Sequence, residues 1–178
     1  MSEVMNSIRC VGLVGAGTMG RGIAQVCAQA GFEVKLFDAL PQVAEQSKAS
    51  IEKALLKLIE KGRLTDDDRQ AILGRIHPCE ALDNLFQCDL VIEAAIENLE
   101  IKRQLFKSLD EGCKEQTILV SNTSAIPISS IAALTTHRPR IAGLHFMNPV
   151  PLMKLVEVIQ TPVTSASVVQ SLLVFSAA

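Results

Sequence analysis

The stretch GLHFMNPVP, residues 143–151, runs apolar as far as Leu144, then ends in His145 and sets Asn148 between Met147 and Pro149. A second apolar run, MKLVEVIQ (153–160), carries Glu157 inside it. Alternation of period two puts Glu157 on one face with Met153, Leu155 and Ile159, where a carboxylate needs a partner. His145 is the obvious candidate, because a short turn joins the two runs. A histidine–carboxylate pair fixes the imidazole tautomer and keeps the ring basic, which is the equipment of general acid–base catalysis. The competing reading has His145 as a satisfied strand-end histidine and Glu157 salt-bridged to Lys154 or Lys102.

GAGTMG (15–20) supplies a different chemistry. It follows an apolar run and opens a helical one, and Asp38 closes the next apolar run about 20 residues on, the context that gives a G-x-G-x-x-G pattern its meaning. Gly15 is needed for the tight turn and Gly17 for close backbone approach to a pyrophosphate. Gly20 lets the helix lie close to the strand, and the helix N-terminus offers free N–H groups to an anion. A carboxylate at Asp38 accepts from both ribose hydroxyls and repels a 2′-phosphate, so it selects NAD over NADP; capping a helix is its alternative use. Ser124, in SNTSAIP, follows another strand-like run, where open α/β sheets hold ligands. It could equally cap a helix starting near Ile128.

These residues need a frame. IRCVGLVG (8–15), EVKLFD (33–38), CDLVIEAAI (88–96), TILVSN (117–122), RIAGLHF (140–146) and MKLVEVIQ (153–160) read as strands. MGRGIAQVCAQAG reads as a helix with Ile23, Val26, Cys27 and Ala30 on one face. NLEIKRQLFKSLDEGC (98–113) reads as an amphipathic helix. Residues 41–62 predict a long helix with the stripe Val43, Ser47, Ile51, Ala54, Leu55 and Leu58, broken at Gly62. Thr65 with Asp68 forms a capping box that opens a shorter helix, Asp66 to Leu73. The fold class is therefore α/β, a Rossmann-type doubly wound, mostly parallel sheet, with an inserted helical pair (about 41–73) after the second strand. The link from Phe146 to Met153 is too short for a crossover helix, so the last strand turns back antiparallel. The final run, with Leu172, Leu173, Val174 and Phe175, begins a helix whose apolar face needs cover.

The bulk numbers remove other classes. The 178 residues suit one sizeable core, read as a single unit over 1–178. A net charge of −2, six Phe and no Trp or Tyr leave neither a basic footprint nor stacking platforms for nucleic acid. The five cysteines (Cys10, Cys27, Cys79, Cys88 and Cys113) are scattered without a CxxC pair, so they read as small buried hydrophobes in a reducing compartment, with neither a disulfide frame nor a metal site. MSEVMNSIRC has no apolar targeting core and no run reaches membrane-spanning length, so the expectation is a cytoplasmic protein off the membrane. His77 and His137 have no motif around them and read as solvated or structural. The basic run Lys48, Lys53, Lys57, Lys61 and Arg63 reads as a wet helix face, with an anionic ligand as the alternative.

Together VGLVGAGTMGRGIAQVCAQAGFEVKLFD, DLVIEAAIENLEIKRQLFKSLD, ILVSNTSAIPISSIA and AGLHFMNPVPLMKLVEVI resemble the N-terminal NAD-binding domain of the L-3-hydroxyacyl-CoA dehydrogenases, nearest the short-chain bacterial kind. That resemblance implies NAD-dependent interconversion of an L-3-hydroxyacyl-CoA and a 3-ketoacyl-CoA in fatty-acid metabolism. It assigns His145 as general acid or base, Glu157 as its orienting partner and Ser124 as a donor to the substrate oxygen. It implies NAD contacts at Gly15, Ala16, Gly17, Thr18, Met19, Gly20, Asp38, Ala94, Glu97, Lys102, Ser124 and Asn148, and coenzyme A contacts at Lys61 and Ser124. A family serine that touches coenzyme A is Ala54 here. The family continues into a substrate-touching asparagine and a helical, dimer-forming domain, both absent from these 178 residues, so a homodimer is expected of a full-length protein and little turnover from this chain alone. Other readings are a lysine-based β-hydroxyacid dehydrogenase, which the histidine strand disfavours, an inactive NAD-binding fragment, and a crystallin-like structural homologue.

Overall fold

The apolar runs become the interior of one sheet because most are covered on both faces. The structure, a computed structural model, describes residues 8–178; the expectation about a targeting segment falls largely on residues 1–7, outside the described residues. Strands β1 (Cys10–Val14), β2 (Glu33–Phe37), β3 (Ile76–Cys79), β4 (Leu90–Glu93), β5 (Ile118–Ser121), β6 (Ile141–Phe146) and β7 (Val156–Ile159) form a seven-stranded sheet in the order β3-β2-β1-β4-β5-β6-β7. All neighbours pair parallel except β6 and β7, which pair antiparallel as the short link requires. The order reverses between β1 and β4, so the crevice at the carboxyl ends of those strands is the place for a ligand.

Two apolar layers flank the sheet. On one side, α1 (Thr18–Gln29), α2 (Val43–Glu60) and α3 (Asp66–Gly74) bury Ile23, Ile51, Leu55 and Ile72 with Val11, Leu13 and Leu36 of the sheet. On the other, α4 (Leu99–Gly112) and α5 (Ile128–Ile131) bury Phe106, Leu109 and Ile131 with Val14, Val91 and Leu119. Each fully buried Leu or Ile contributes roughly 1.5–3 kcal/mol, which is what sets the strand registers. The helix ends follow local chemistry. Thr65 and Asp68 make the expected capping box, and the Asn98 side chain accepts from the Ile101 amide at 3.1 Å to start α4.

Several expectations need correction. The strand β3 is absent from the sequence reading, because IHPC carries a proline; Pro78 is tolerated where a strand pairs on one side only, at the sheet edge. Ala54 is exposed and Ala44 takes its place in the buried stripe of α2, while Ala30 is exposed at the cap of α1. The face of β7 bearing Glu157 is the exposed one: Ile159 is 37% exposed and Met153 and Leu155, which precede the strand, are exposed too. The last helix, α6 (Ala166–Ser176), lies on β6 and β7. It buries Leu172 and packs Phe175 against Phe32 at a tilt of 46° with ring centroids 4.9 Å apart, so of its large apolar side chains only Leu173 is left well exposed. Of the cysteines, Cys27, Cys88 and Cys113 are buried, but Cys10 and Cys79 only partly. No described helix is long and apolar enough to cross a membrane.

Candidate active site and cofactor crevice

The glycine turn is built by close approach. Gly15 sits at φ +95°, and a Cβ on it would lie 2.6 Å from the Ala94 carbonyl oxygen. A Cβ on Gly20 would lie 1.8 Å from the Gly15 carbonyl oxygen, so α1 can pass this close only with glycine. A Cβ on Gly17 would meet nothing within 4 Å, and the helix that starts there has no side-chain cap. The α1 amides are thus free to bind an anion, and the open side of Gly17 is the approach for a pyrophosphate. Asp38 holds the turn from the end of β2: its Oδ2 accepts from the Ala16 amide at 2.7 Å and its Oδ1 from the Leu40 amide at 2.9 Å. A cleft of about 470 Å³ beside it is lined by Phe37, Leu40, Pro78 and Cys79, so the unforeseen β3 walls this part of the site.

A second cleft, of about 300 Å³, brings together seven of the residues expected from sequence. Met19, Ala94, Glu97, Lys102, Ser124, His145 and Asn148 all line it, with Asn122 beside them. His145 and Glu157 are direct partners across β6 and β7, and His145 Nδ1 lies 2.9 Å from Glu157 Oε2. A carboxylate only accepts, so Nδ1 carries the proton and donates, which leaves the Nε2 lone pair free to act as a base. Glu157 is half exposed, so the register and not burial of its charge forces the pairing. Neither Lys154 nor Lys102 pairs with it among the described residues. Ser124 is exposed at the cleft and caps nothing; α5 starts after Pro127 without a side-chain cap.

Beneath this cleft Glu97 and Lys102, both expected from sequence, join a network through Glu93, which the sequence reading missed. Glu93, fully buried at the end of β4, accepts from Lys102 Nζ at 2.6 Å, from Ser121 Oγ at 2.5 Å and from the Ala95 amide at 2.7 Å. Lys102 Nζ also lies 3.2 Å from Glu97 Oε2, and the Thr123 hydroxyl donates to the other Glu97 oxygen. Burial pushes the Glu97 carboxyl up, but the bonds from Thr123 and Lys102 outweigh it and hold it below the usual carboxylate range. The available signal was a carboxylate ending an otherwise apolar strand, with a lysine in the first turn of the next helix. Asn122 was missed as well; its Oδ1 accepts from the Phe146 amide at 2.8 Å and so holds the end of β6 just after His145.

A third cleft, of about 330 Å³, opens between α1, α2 and the turn after β6, lined by Thr18, Arg21, Lys53, Ala54, Lys57 and Asn148. Part of the basic run therefore faces a groove. Lys48 instead ties α2 to β3, donating to the Ile76 carbonyl at 2.7 Å. Lys61, exposed at the end of α2, does not line the groove. His77 bonds the exposed Glu33, and His137 lies beside Asp110, both away from the clefts.

A parallel sheet in this order, a glycine turn onto a bare helix N-terminus and an acidic residue ending the second strand define a dinucleotide-binding domain. The family model for the 3-hydroxyacyl-CoA dehydrogenase NAD binding domain matches residues 10–178, and the chain belongs to this family, with NAD as its cofactor. Among its relatives, "Probable 3-hydroxybutyryl-CoA dehydrogenase" of Deinococcus radiodurans is 51% identical over 154 residues, covering 86% of this chain and 55% of that protein. The mitochondrial hydroxyacyl-coenzyme A dehydrogenase of Homo sapiens is 45% identical over 177 residues, covering 96% and 56%. The crystal structure of (S)-3-hydroxybutyryl-CoA dehydrogenase from Ralstonia eutropha superposes with a TM-score of 0.93 at 42% identity, covering 96% of this chain and 60% of that one. The chain thus spans just over half the length of the curated relatives it matches.

Proposed function

We propose that this chain carries the cofactor half and the acid–base pair of an NAD-dependent L-3-hydroxyacyl-CoA dehydrogenase acting on a short acyl chain such as 3-hydroxybutyryl. The observation that carries this is the His145–Glu157 pair, in register and bonded, on the cleft that also holds Ser124 and Asn148. NAD, when bound, supplies the nicotinamide that exchanges a hydride with the substrate carbon. The residues fit that cofactor. Each Asp38 oxygen uses one lone pair on a backbone amide and keeps another for a ribose hydroxyl. The free α1 amides would receive the pyrophosphate, and Glu97 and Lys102 would hold the nicotinamide end.

His145 Nε2 takes the proton of the substrate hydroxyl as the carbonyl forms, and Glu157 stabilises the imidazolium that results. The Ser124 hydroxyl donates to the same substrate oxygen. Arg21, Lys53 and Lys57 make the groove beside Asn148 suited to the phosphates of coenzyme A. Lys61, assigned there through the family resemblance, stands just past Lys57 along the helix.

Two measurements test this reading. NADH and NADPH titrated by fluorescence should separate in favour of NADH; equal or tighter NADPH binding sinks the role of Asp38. In the whole enzyme, His145→Gln should lower acetoacetyl-CoA reduction by on the order of 10²–10⁴ with NADH affinity kept. Near-normal turnover would return His145 to a structural strand end.

A further inference from the structure

Two cysteines meet at the end of β1 remote from the cofactor crevice. Cys10 and Gly12 share a face of that strand. A Cβ on Gly12 would lie 3.3 Å from Cys88 Sγ, so the missing side chain is what makes room for the Cys88 thiol. Cys10 Sγ and Cys88 Sγ are 3.3 Å apart. The backbone around them is clamped: the Asp89 carboxylate accepts from the amides of Arg9 at 2.9 Å and Cys10 at 3.0 Å, and the Asp89 amide donates to the Cys10 carbonyl at 2.9 Å. Cys10 is partly open to solvent, while Cys88 is fully buried behind it.

We propose that Cys10 and Cys88 are a dithiol oxidised by hydroperoxides, with Cys10 as the attacking sulfur, Cys88 as the resolving one, and a disulfide between β1 and the entry to β4 as the product. The Cys10 thiolate attacks one peroxide oxygen and the O–O bond breaks. This gives a sulfenic acid on Cys10 and a hydroxide or alkoxide that takes a proton from water. The Cys88 sulfur then attacks the Cys10 sulfur as its own proton departs, the S–O bond breaks, and that proton leaves with the hydroxyl as water. Two thiols lose two electrons to the peroxide. The sulfurs need close only to the ~2 Å of a disulfide, between segments already held by three hydrogen bonds.

The surroundings favour this order of events. The hydrogen bond from Cys88 draws the Cys10 thiol down to about 7; burial opposes it, Lys35 of β2 assists, and Asp89 and Glu33 oppose. Cys88 is pushed up by the same bond, by burial and by the Cys10 charge, with Lys35 opposing and Cys113 at the end of α4 adding to the rise. Cys10 is therefore the sulfur present as thiolate near neutral pH.

The experiment exposes the purified chain to hydrogen peroxide, alkylates it under denaturing conditions, and maps it without reduction. Cleavage at Glu80 keeps Cys79 apart from Cys88. The expected result is a link between the Cys10 and Cys88 peptides within one chain, two fewer alkylated thiols and reversal by dithiothreitol. The rate should climb between about pH 6 and pH 8, and the closed form should melt roughly 5–15 °C higher. Cys79→Ser should keep the link. Cys88→Ala should instead leave a sulfenic acid on Cys10 that dimedone traps, formed more slowly because the hydrogen bond that draws the Cys10 thiol down is gone. If that variant folds poorly, the map of the unaltered chain decides alone. Both thiols still alkylatable after the other cysteines react, over-oxidation of Cys10 without a link, or a link between two chains would each overturn the proposal.

Discussion

The helix α4 carries a buried ion network at each end, and the two are finished differently. At its last turn Asp110, 2% exposed, accepts from Arg140 Nη2 at 2.9 Å, from the Thr136 amide at 2.7 Å and from the Thr136 hydroxyl at 2.9 Å. Arg140 Nε also donates to that carboxylate, and the guanidinium donates further to the carbonyls of Asp110, Lys114 and Glu115. Every group there is satisfied from within, so the network is a staple between α4 and the segment entering β6. At the first turn Lys102 is as deeply buried, yet its second partner, Glu97, is 46% exposed and lines the cleft. The same chemistry of paired buried charge is closed at one end and open at the other. An ion network becomes a site candidate through the member it leaves reachable, since buried pairing alone says little about function.

That contrast can be broken by experiment. The largest effect is expected at the closed end. Asp110→Ala strands the Arg140 guanidinium and should cost about 3–5 kcal/mol of stability, read as a lowered urea midpoint, with NADH affinity of the folded protein unchanged. A matching loss of NADH affinity would show that the staple also belongs to the site. At the open end Lys102→Met keeps the stem and strands Glu93, which retains Ser121 and the Ala95 amide. It should cost about 3 kcal/mol and also weaken NADH binding by on the order of 10-fold. A variant that lost stability alone would make the two ends equivalent.

Acid should act chiefly through the closed end. Burial pushes the Asp110 carboxyl up, but the Thr136 amide, Arg140 and the Thr136 hydroxyl hold it down at about 2. That is below an unfolded aspartate near 3.9, so its stabilisation is complete above about pH 4 and is lost as pH falls toward 2. The stability gap between the native chain and Asp110→Asn should therefore shrink by about 2 kcal/mol over that interval; a constant gap would mean Asp110 titrates normally. The smallest effect belongs to Glu97→Gln, which should move stability by no more than about 0.5 kcal/mol while changing NADH affinity measurably. The reverse pattern would put Glu97 with the structural groups.

How much of this the sequence carried depends on the range of each requirement. The glycine turn was legible because Gly15 and Gly20 answer to atoms a few residues away and to the end of one neighbouring strand. The His145–Glu157 pairing was legible because a short link fixes the register of β6 on β7. Alternation put Glu157 and Ile159 on one face of β7 but did not say which face the core would take, so Glu157 was wrongly expected on an apolar face. Glu93 and its pairing with Lys102 stayed hidden because that pairing is made by where α4 packs, a tertiary fact with no local period. The strand β3 hid behind Pro78, whose use at an edge depends on the whole sheet order.

Gly22 has a consequence beyond its own helix. A methyl group there would stand 2.8 Å from Val150 Cβ, so α1 and the turn that follows His145 touch backbone to side chain with nothing to spare. The surface that would receive phosphates and the surface that holds the base meet at this contact, which acts as a gauge of the crevice. Any side chain at position 22 must open that gauge, and the error would appear at the far end of a long ligand. A shift of ~1 Å between reacting groups can cost about 10²-fold in rate, so position 22, which bears no functional group at all, should tolerate substitution less well than many residues lining the clefts.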